Sequence, residues 1–252
     1  RNRSEYLTGV AKLEARMGRA EPALKAGRDL IAAAPGNPEH YEFFSSLCFQ
    51  LGRNDEGLDA LRRAVRINPN EVKSVLTLAE TLAGQFRTDE AVEMYWRAFE
   101  KSPELDGKIN VVSRLTELYL QRNQFDRLLG RLQREQGEAQ AGQQRELAIC
   151  IAQAYASSGD LGMARSELER LLSANARDTQ LLQQLSKLAE EEGDLESAAK
   201  YQKQFVELAP GDEASLRLAQ LYVRYGEVNE AQALWSKMAS GQKEAYRVLM
   251  AV

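Results

Sequence analysis

The sequence contains little of what catalytic and metal centres are usually built from. Its 252 residues include one histidine, His40, and two cysteines, Cys48 and Cys150. One His and two Cys are too few for a His/Cys metal centre, and any Ser-His-Asp or Cys-His arrangement would have to use His40. We therefore expect a protein that is not an enzyme and that needs no metal and no cofactor.

Long apolar runs and a strong excess of one charge are also missing. No stretch reaches the roughly 18 apolar residues of a membrane-spanning helix. The 33 Lys+Arg and 37 Asp+Glu residues leave a net charge of −4, which argues against nucleic acid as a partner. A hydrophobic content of 44% is too high for a generally disordered chain. The composition predicts a folded chain with no integral membrane segment and no nucleic-acid partner.

Two features concern the origin and compartment of the protein. The sequence starts with Arg1 and lacks the charged start and apolar core of a secretory signal peptide. We expect it to be a piece of a longer protein. We expect Cys48 and Cys150 to be too far apart along the chain to pair. Unpaired cysteines favour a reducing compartment, and hence the cytoplasm.

Proline is scarce as well, but its positions are regular. The chain has 6 prolines, and Pro35, Pro69 and Pro103 follow one another at intervals of 34 residues. Gly18 and Gly52 are separated by the same 34 residues. A fixed period in this range is typical of solenoid proteins, in which one structural unit is stacked repeatedly.

Two series of small residues share this register. Small side chains allow two helices to approach closely, so we expect them where the two helices of each unit cross. The first series is Ala23, Gly57, Ala91, Ala164, Ala198 and Ala231, and the second is Ala11, Ser45, Ala79, Thr116, Ala152, Ser186 and Ala219.

Each unit is predicted to be a helical hairpin. The first helix ends at glycine or asparagine, which tolerate a left-handed backbone. An acidic residue then opens the second helix, as in Gly159-Asp160 and Gly193-Asp194. The second helix closes before proline, which cannot continue it. Because a single hairpin cannot bury both of its faces, neighbouring hairpins have to stack, and the sequence predicts an all-α fold.

This pattern resembles the tetratricopeptide repeat (TPR) family. Two units carry it clearly, with Tyr41, Ser45, Cys48, Gly52, Gly57, Leu61, Ala64 and Pro69 in the second and Leu218, Ala219, Tyr222, Gly226, Ala231 and Trp235 in the seventh. The resemblance implies a right-handed superhelical α-solenoid of stacked antiparallel hairpins, a single array over residues 1–252. In its register the units are 4–37, 38–71, 72–105, 109–142, 145–178, 179–211 and 212–242, followed by a partial eighth unit or cap at 243–252.

The third and fourth units depart from the pattern. Phe86 stands where the third unit should have its turn glycine, and Asn123 does so in the fourth. Leu128 replaces a small residue of the fourth unit, which has surplus residues on both sides, at 104–108 and 136–144. The surplus predicts either an irregular junction or longer helices.

Charged side chains cluster at three places, which are Glu190 to Glu192, the stripe of Arg127, Arg131 and Arg134, and the stripe of Arg62, Arg63 and Arg66. The carboxylates are more typical of a solvated face than of a cation site, because consecutive helical residues point in different directions. The arginines would suit an acidic partner or anionic lipid headgroups. Local ion pairs are the simpler expectation, since Asp59 lies four residues before Arg63, and Arg131 four before Glu135.

In TPR proteins, partners usually lie in a concave groove lined by the first helices. In that register the groove candidates are Phe43, Ser46, Phe49, Leu76, Thr77, Glu80, Arg114, Glu117, Ile149 and Gln153. The large apolar side chains among them would anchor a bound segment. Alternatively, Phe43, Phe49 and Leu76 pack between units, or Phe49 covers its hairpin turn.

The resemblance implies a non-catalytic scaffold that binds a peptide or protein segment in this groove. Two other hypotheses stay open. The array would be a structural or assembly element that uses its ends and convex surface and self-associates through the ends. Alternatively, it would recruit substrates for an enzyme elsewhere in a longer chain. The fold by itself does not choose among these functions.

Overall fold

The computed structural model describes residues 2–237, which form fourteen α-helices and no β-strand. In chain order the helices are α1 (Asn2–Arg16), α2 (Ala20–Ala33), α3 (Pro38–Gln50), α4 (Asn54–Ile67), α5 (Val72–Gly84), α6 (Thr88–Lys101), α7 (Leu105–Leu120), α8 (Phe125–Glu138), α9 (Ala141–Ser158), α10 (Leu161–Ala174), α11 (Thr179–Glu192), α12 (Leu195–Leu208), α13 (Asp212–Tyr225) and α14 (Val228–Lys237).

The helices pack in consecutive pairs within two compact units, residues 1–118 and 119–252. In the first unit α1 packs on α2, α3 on α4 and α5 on α6, and successive pairs meet through α2–α3 and α4–α5. In the second unit the pairs are α9–α10, α11–α12 and α13–α14, joined through α10–α11 and α12–α13. The all-α hairpin solenoid is thereby confirmed. The repeat boundaries and the single array stay predictions, and the partial eighth repeat at 243–252 lies outside the described residues.

The hairpin turns follow the sequence signals closely. Five glycines at the ends of first helices have φ between +73° and +94°: Gly18, Gly52, Gly159, Gly193 and Gly226. In the two units that lack this glycine, Phe86 has φ +60° and Asn123 has φ +54°. Asparagine tolerates this left-handed region, but a bulky aromatic residue is strained in it. The Phe86 side chain is 90% exposed, so packing does not compensate for the strain.

Two of the second helices begin at the predicted acidic residues, and four of them end just before a proline. The Asp160 carboxylate accepts a hydrogen bond from the backbone N–H of Met163 at 3.1 Å, and Asp194 accepts one from Ser197 at 3.0 Å. Both contacts satisfy an N–H group that the first helical turn leaves without a partner. Helices α2, α4, α6 and α12 each end two residues before a proline, because proline has no N–H and clashes with the preceding turn.

Both series of small residues are buried, as the sequence predicts. Between α11 and α12 the Ser186 hydroxyl donates a hydrogen bond to the backbone carbonyl of Ala198 at 3.0 Å, which places the two helices in direct contact. Space is equally short between α2 and α3, where a Cβ atom at Gly27 would lie 2.5 Å from Cδ2 of Phe44. Small residues therefore set how closely the helices pack.

The surplus residues around the fourth repeat are mostly helical. Residues 105–108 form the start of α7, and residues 141–144 form the start of α9, which has 18 residues. Only Ala139 and Gln140 separate α8 from α9. Leu128 is fully buried. Most of the surplus residues thus lie within helices.

The packing of Gly27 predicts opposite effects for two glycine-to-alanine changes. Alanine is favoured over glycine inside a helix by about 1 kcal/mol. At Gly9 of α1 the new methyl group has nothing within 4 Å, so Gly9→Ala should raise the free energy of unfolding by about 0.5–1 kcal/mol. Gly27→Ala should lower it, because overpacking against the Phe44 ring costs about 1–3 kcal/mol. Urea unfolding followed by circular dichroism compares the two, and stabilisation by both would contradict this packing.

The strained turn at Phe86 predicts a gain in stability when the side chain is removed. Phe86→Gly should raise the free energy of unfolding by up to about 1 kcal/mol, because a left-handed backbone costs a non-glycine residue about 1–2 kcal/mol. The converse change, Gly52→Ala at φ +73°, should be destabilising. Thermal unfolding of both variants tests this, and a loss of stability in Phe86→Gly would mean that the ring has a packing partner.

Candidate functional site

The groove candidates of the first unit lie on three first helices and differ in exposure. Ser46, Thr77, Glu80, Arg114 and Glu117 are exposed, whereas Phe43, Phe49 and Leu76 are half-buried. A hydrogen bond from the Ser74 hydroxyl to the Glu42 carboxylate joins α3 to α5 beside them. We use the name first-helix face for Phe43, Ser46, Leu76, Thr77, Glu80, Arg114 and Glu117.

Phe43 is held in place by its neighbours on α1. Its ring packs against the core cluster that contains Ala11 and Cys48. The Lys12 ammonium lies 5.8 Å from the ring centroid, a distance at which a cation is attracted to an aromatic face. Phe43 therefore has one side in the core and one side next to a positive charge. The sequence allowed two interpretations of Phe43, a position in the groove and a position in the packing between units. Each of them describes one side of its ring.

Phe49 belongs to the packing of its own hairpin. A Cβ atom at Gly57 would lie 2.7 Å from Cε1 of Phe49, so the ring occupies the space that the missing side chain leaves. Covering the hairpin was one of the two expectations for this residue. Phe49 is therefore not part of the first-helix face.

Three charged candidates influence the pKa of Tyr95 of α6. The side chain of Tyr95 is buried, and this burial raises its pKa to about 12. Glu80 and Glu117 also raise the pKa of Tyr95, while Arg114 lowers it. Arg114 and Glu117 form an ion pair of 3.4 Å. The structure thus brings Glu80, Arg114 and Glu117 into one polar region of the first unit.

The two candidates of the second unit have different positions. Ile149 is only 2% exposed and belongs to a run of five consecutive buried residues of α9. Placing it in the groove was wrong, because the Ile149 side chain is buried in α9, on which both α8 and α10 pack. Gln153 is half-buried, and its side-chain amide donates a hydrogen bond to the Ser157 hydroxyl at 3.0 Å.

The three consecutive glutamates diverge, as helical geometry requires. Glu190 pairs with Arg217 at 3.3 Å and also contacts Arg224. Glu191 lies 3.8 Å from Lys187, and Glu192 lies 3.1 Å from Arg165. Within residues 2–237, no three His, Cys, Asp or Glu side chains are grouped so that they would hold a metal ion.

Arg165 is the centre of a network that the sequence analysis missed. Its guanidinium contacts four side chains at 2.8–3.1 Å: Glu169, Glu192, Asp194 and Ser197. Hydrogen bonds from Ser197 and Arg165 lower the pKa of Asp194 to about 2. The network joins α10 to α11 and α12, so it connects two hairpins. The signal was an arginine followed 28 or 29 residues later by an acid, which also occurs at Arg28 with Glu56.

The two arginine stripes differ in the ion pairs that they form. Arg131 pairs with Glu135 at 2.9 Å, as expected. The expected pair of Asp59 with Arg63 is wrong, since Asp59 lies 3.4 Å from Arg62 instead. Arg62 also reaches Glu90 of the next hairpin at 2.7 Å, which holds it next to both carboxylates. Arg63 is left without an acidic partner among residues 2–237.

The two cysteines and the single histidine are all withdrawn, at least in part, from solvent. Cys48 and Cys150 are both buried and form no disulfide. Burial raises the pKa of Cys48 to about 11, which disfavours the thiolate that nucleophilic chemistry requires. His40 is half-buried on α3, and its Nδ1 atom has no hydrogen-bond partner.

Two segments of the chain, residues 41–71 and 179–212, match the sequence model of the tetratricopeptide repeat. No curated protein matches the sequence. Similar solved structures include the Pseudomonas aeruginosa protein pilF, with 12% identity, 98% of this chain and 97% of that chain covered, and a TM-score of 0.41. A tetratricopeptide repeat protein from Parabacteroides merdae is 16% identical, with coverage of 99% and 100% and a TM-score of 0.44. The C-terminal part of a TPR repeat-containing protein from Cytophaga hutchinsonii is 14% identical, with coverage of 91% and 93% and a TM-score of 0.45.

The repeat matches confirm the resemblance that the sequence carries. Both matched segments coincide with helical hairpins, α3–α4 and α11–α12. None of the helices between residues 2 and 237 combines the length and the apolar character that crossing a membrane requires.

Proposed function

We propose that this chain, two segments of which match the tetratricopeptide repeat, is a protein-interaction scaffold that binds a segment of a partner protein on the first-helix face of its first unit. Repeats of this kind are typically non-catalytic. The observation that supports this proposal is the combination of half-buried Phe43 and Leu76 with exposed polar side chains on the same helices.

The apolar residues would supply the binding energy of such a site. Aromatic and aliphatic anchors that are already fixed in the free protein lose little conformational entropy when a partner binds. Phe43 meets this condition because the core cluster and Lys12 hold its ring. Leu76 of α5 is half-buried next to exposed Thr77, so part of its surface is available to a partner.

The polar residues would set the direction and register of the bound segment. The Thr77 hydroxyl donates to the Lys73 carbonyl at 3.0 Å and still has lone pairs for an N–H group of a partner. The region around Tyr95 adds Glu80, Glu117 and Arg114, so it presents both signs of charge. Charges at the edge of an interface contribute to specificity more than to affinity.

Adding bulk and charge to the first-helix face should abolish binding without unfolding the protein. A random library of 12-residue peptides is selected on the immobilised chain, and the affinities of enriched peptides are measured by fluorescence anisotropy. Ser46→Arg with Thr77→Arg should weaken binding at least tenfold, because both side chains are exposed on this face. They leave the partly buried Phe43 and Leu76 intact, so the melting temperature should stay the same.

The control is a matched change on a second helix. Ser166→Arg with Ser173→Arg places the same two substitutions at exposed positions of α10, and affinity should be unchanged. Equal losses in both variants would show that added positive charge, not the face, reduces binding. Failure to enrich any peptide would also contradict the proposal.

A second candidate function, assembly through α1, is supported by a separate observation. Tyr6, Leu13 and Met17 are 68%, 58% and 51% exposed. The first two lie on α1 and Met17 directly follows it, and their spacing of seven and four residues puts them along one side of the helix. Such an apolar stripe is typical of a surface that another helix covers.

If α1 mediates self-association, sedimentation velocity should show a mass that increases with protein concentration. Leu13→Glu with Met17→Glu should then give a monomer at every concentration, because each change places a charge on the apolar stripe. Lys25→Glu on exposed α2 serves as the control for added negative charge. A wild-type protein that stays monomeric at all concentrations would eliminate this second candidate.

A further inference from the structure

A cleft of about 470 Å³ opens between α2, α3 and α4 of the first unit. Its floor is apolar and consists of Ile31, Tyr41, Phe44 and Ala60. Arg63 and Arg66 of α4 lie along its edge. The volume is within the range of small-ligand pockets, about 300–1,000 Å³. None of these residues belongs to the first-helix face.

The floor of the cleft is fixed in the free protein. Phe44 is buried, and its ring lies so close to α2 that only glycine fits at position 27. The Tyr41 hydroxyl donates a hydrogen bond to the Pro35 carbonyl at 3.2 Å, which ties the ring to the connection between α2 and α3. A ligand therefore meets a preformed surface and does not have to order these side chains.

The acidic side chains of the cleft are already occupied by other arginines. Both oxygens of Glu56 accept hydrogen bonds from Arg28 of α2, at 3.1 and 2.9 Å. Asp59 lies 3.4 Å from Arg62. Neither carboxylate contacts the two arginines at the edge of the cleft. The negative charges of these two carboxylates are thus balanced by arginines that do not line the cleft.

Arg63 and Arg66 are left with uncompensated charge. Both are exposed, and within residues 2–237 neither forms an ion pair with a carboxylate. They are three residues apart on one helix, so their like charges are neighbours and repel each other. An anion bound between them would relieve this repulsion. Guanidinium groups match the planar geometry of carboxylates and bind them through paired hydrogen bonds.

The repeated ion pairs show that these two arginines have a different role from their neighbours. Arg28 pairs with Glu56 and Arg62 with Glu90, and each partner of the second pair lies 34 residues after its equivalent in the first. This repeating pair joins successive hairpins. Arg63 and Arg66 take no part in it, so the packing of the repeats does not account for them.

We propose that this cleft binds an acidic segment of a partner protein, with an apolar side chain of the segment on the Tyr41–Phe44 floor and its carboxylates on Arg63 and Arg66. The positive charges of Arg63 and Arg66 favour a negatively charged partner segment. Exposed guanidinium groups gain little from a lone anion in water, so the apolar floor has to contribute to binding. An acidic segment with an apolar residue uses both parts of the cleft.

Fluorescence anisotropy with defined peptides tests the proposal. The probe is a fluorescein-labelled eight-residue peptide with six glutamates around a central Phe-Leu pair. The full chain should bind it, and Arg63→Gln with Arg66→Gln should weaken binding at least tenfold. Because these arginines have no ion pair to lose among the described residues, the melting temperature should not change. A peptide with Ala-Ala in place of Phe-Leu should also bind at least tenfold more weakly.

Two control variants show whether the peptide binds in this cleft or elsewhere on the surface. Arg127→Gln with Arg134→Gln removes the same charge from α8 and should leave affinity unchanged, as should Ser46→Arg with Thr77→Arg on the first-helix face. Equal losses in the two Arg→Gln variants would overturn the proposal in favour of unspecific attraction. Equal affinity for the Ala-Ala peptide would overturn the role of the floor. No binding of the glutamate peptide, or binding only when phosphoserines replace the glutamates, would overturn the acidic segment as occupant.

Discussion

Two helices of a hairpin can lie in contact only where at least one of them has a small residue at the crossing. In α11 and α12 this contact is close enough for the Ser186 hydroxyl to bond to the backbone of Ala198. The other features depend on this spacing. Large side chains such as Phe44 pack between hairpins, here against Gly27. Each first helix also keeps one side that its own hairpin does not cover.

The spacing of small residues, prolines and turn glycines made the fold predictable from the sequence. These signals are local, and each has a steric cause that does not depend on the rest of the protein. The same holds for the exceptions. Phe86 and Asn123 keep the left-handed backbone of the turn although they lack the freedom of glycine, because the two flanking helices determine the path of the chain. The capping by Asp160 and Asp194 was equally visible in advance.

The site was less predictable because it depends on contacts between repeats. Repeat register placed Ile149 in the groove, but the register does not show that α8 and α10 both cover α9. It also placed Phe49 on the groove, whereas the ring fills the gap above Gly57. Sequence distance suggested that Asp59 pairs with Arg63. Instead, Arg62 lies between Asp59 and a carboxylate of the next hairpin, and that second carboxylate is 28 residues away from it in the sequence.

The ion pair between Arg28 and Glu56 joins two successive hairpins in the same way as the ion pair between Arg62 and Glu90. The arginine and the glutamate each recur after 34 residues. The middle hairpin therefore pairs its glutamate with the arginine of the hairpin before it, and its arginine with the glutamate of the hairpin after it. A tandem duplication or deletion of 34 residues within this region would leave matching partners at the new boundary, wherever the breakpoints fall within the repeat. The first unit is therefore suited to lengthening or shortening by recombination, with no compensating mutation at the joint.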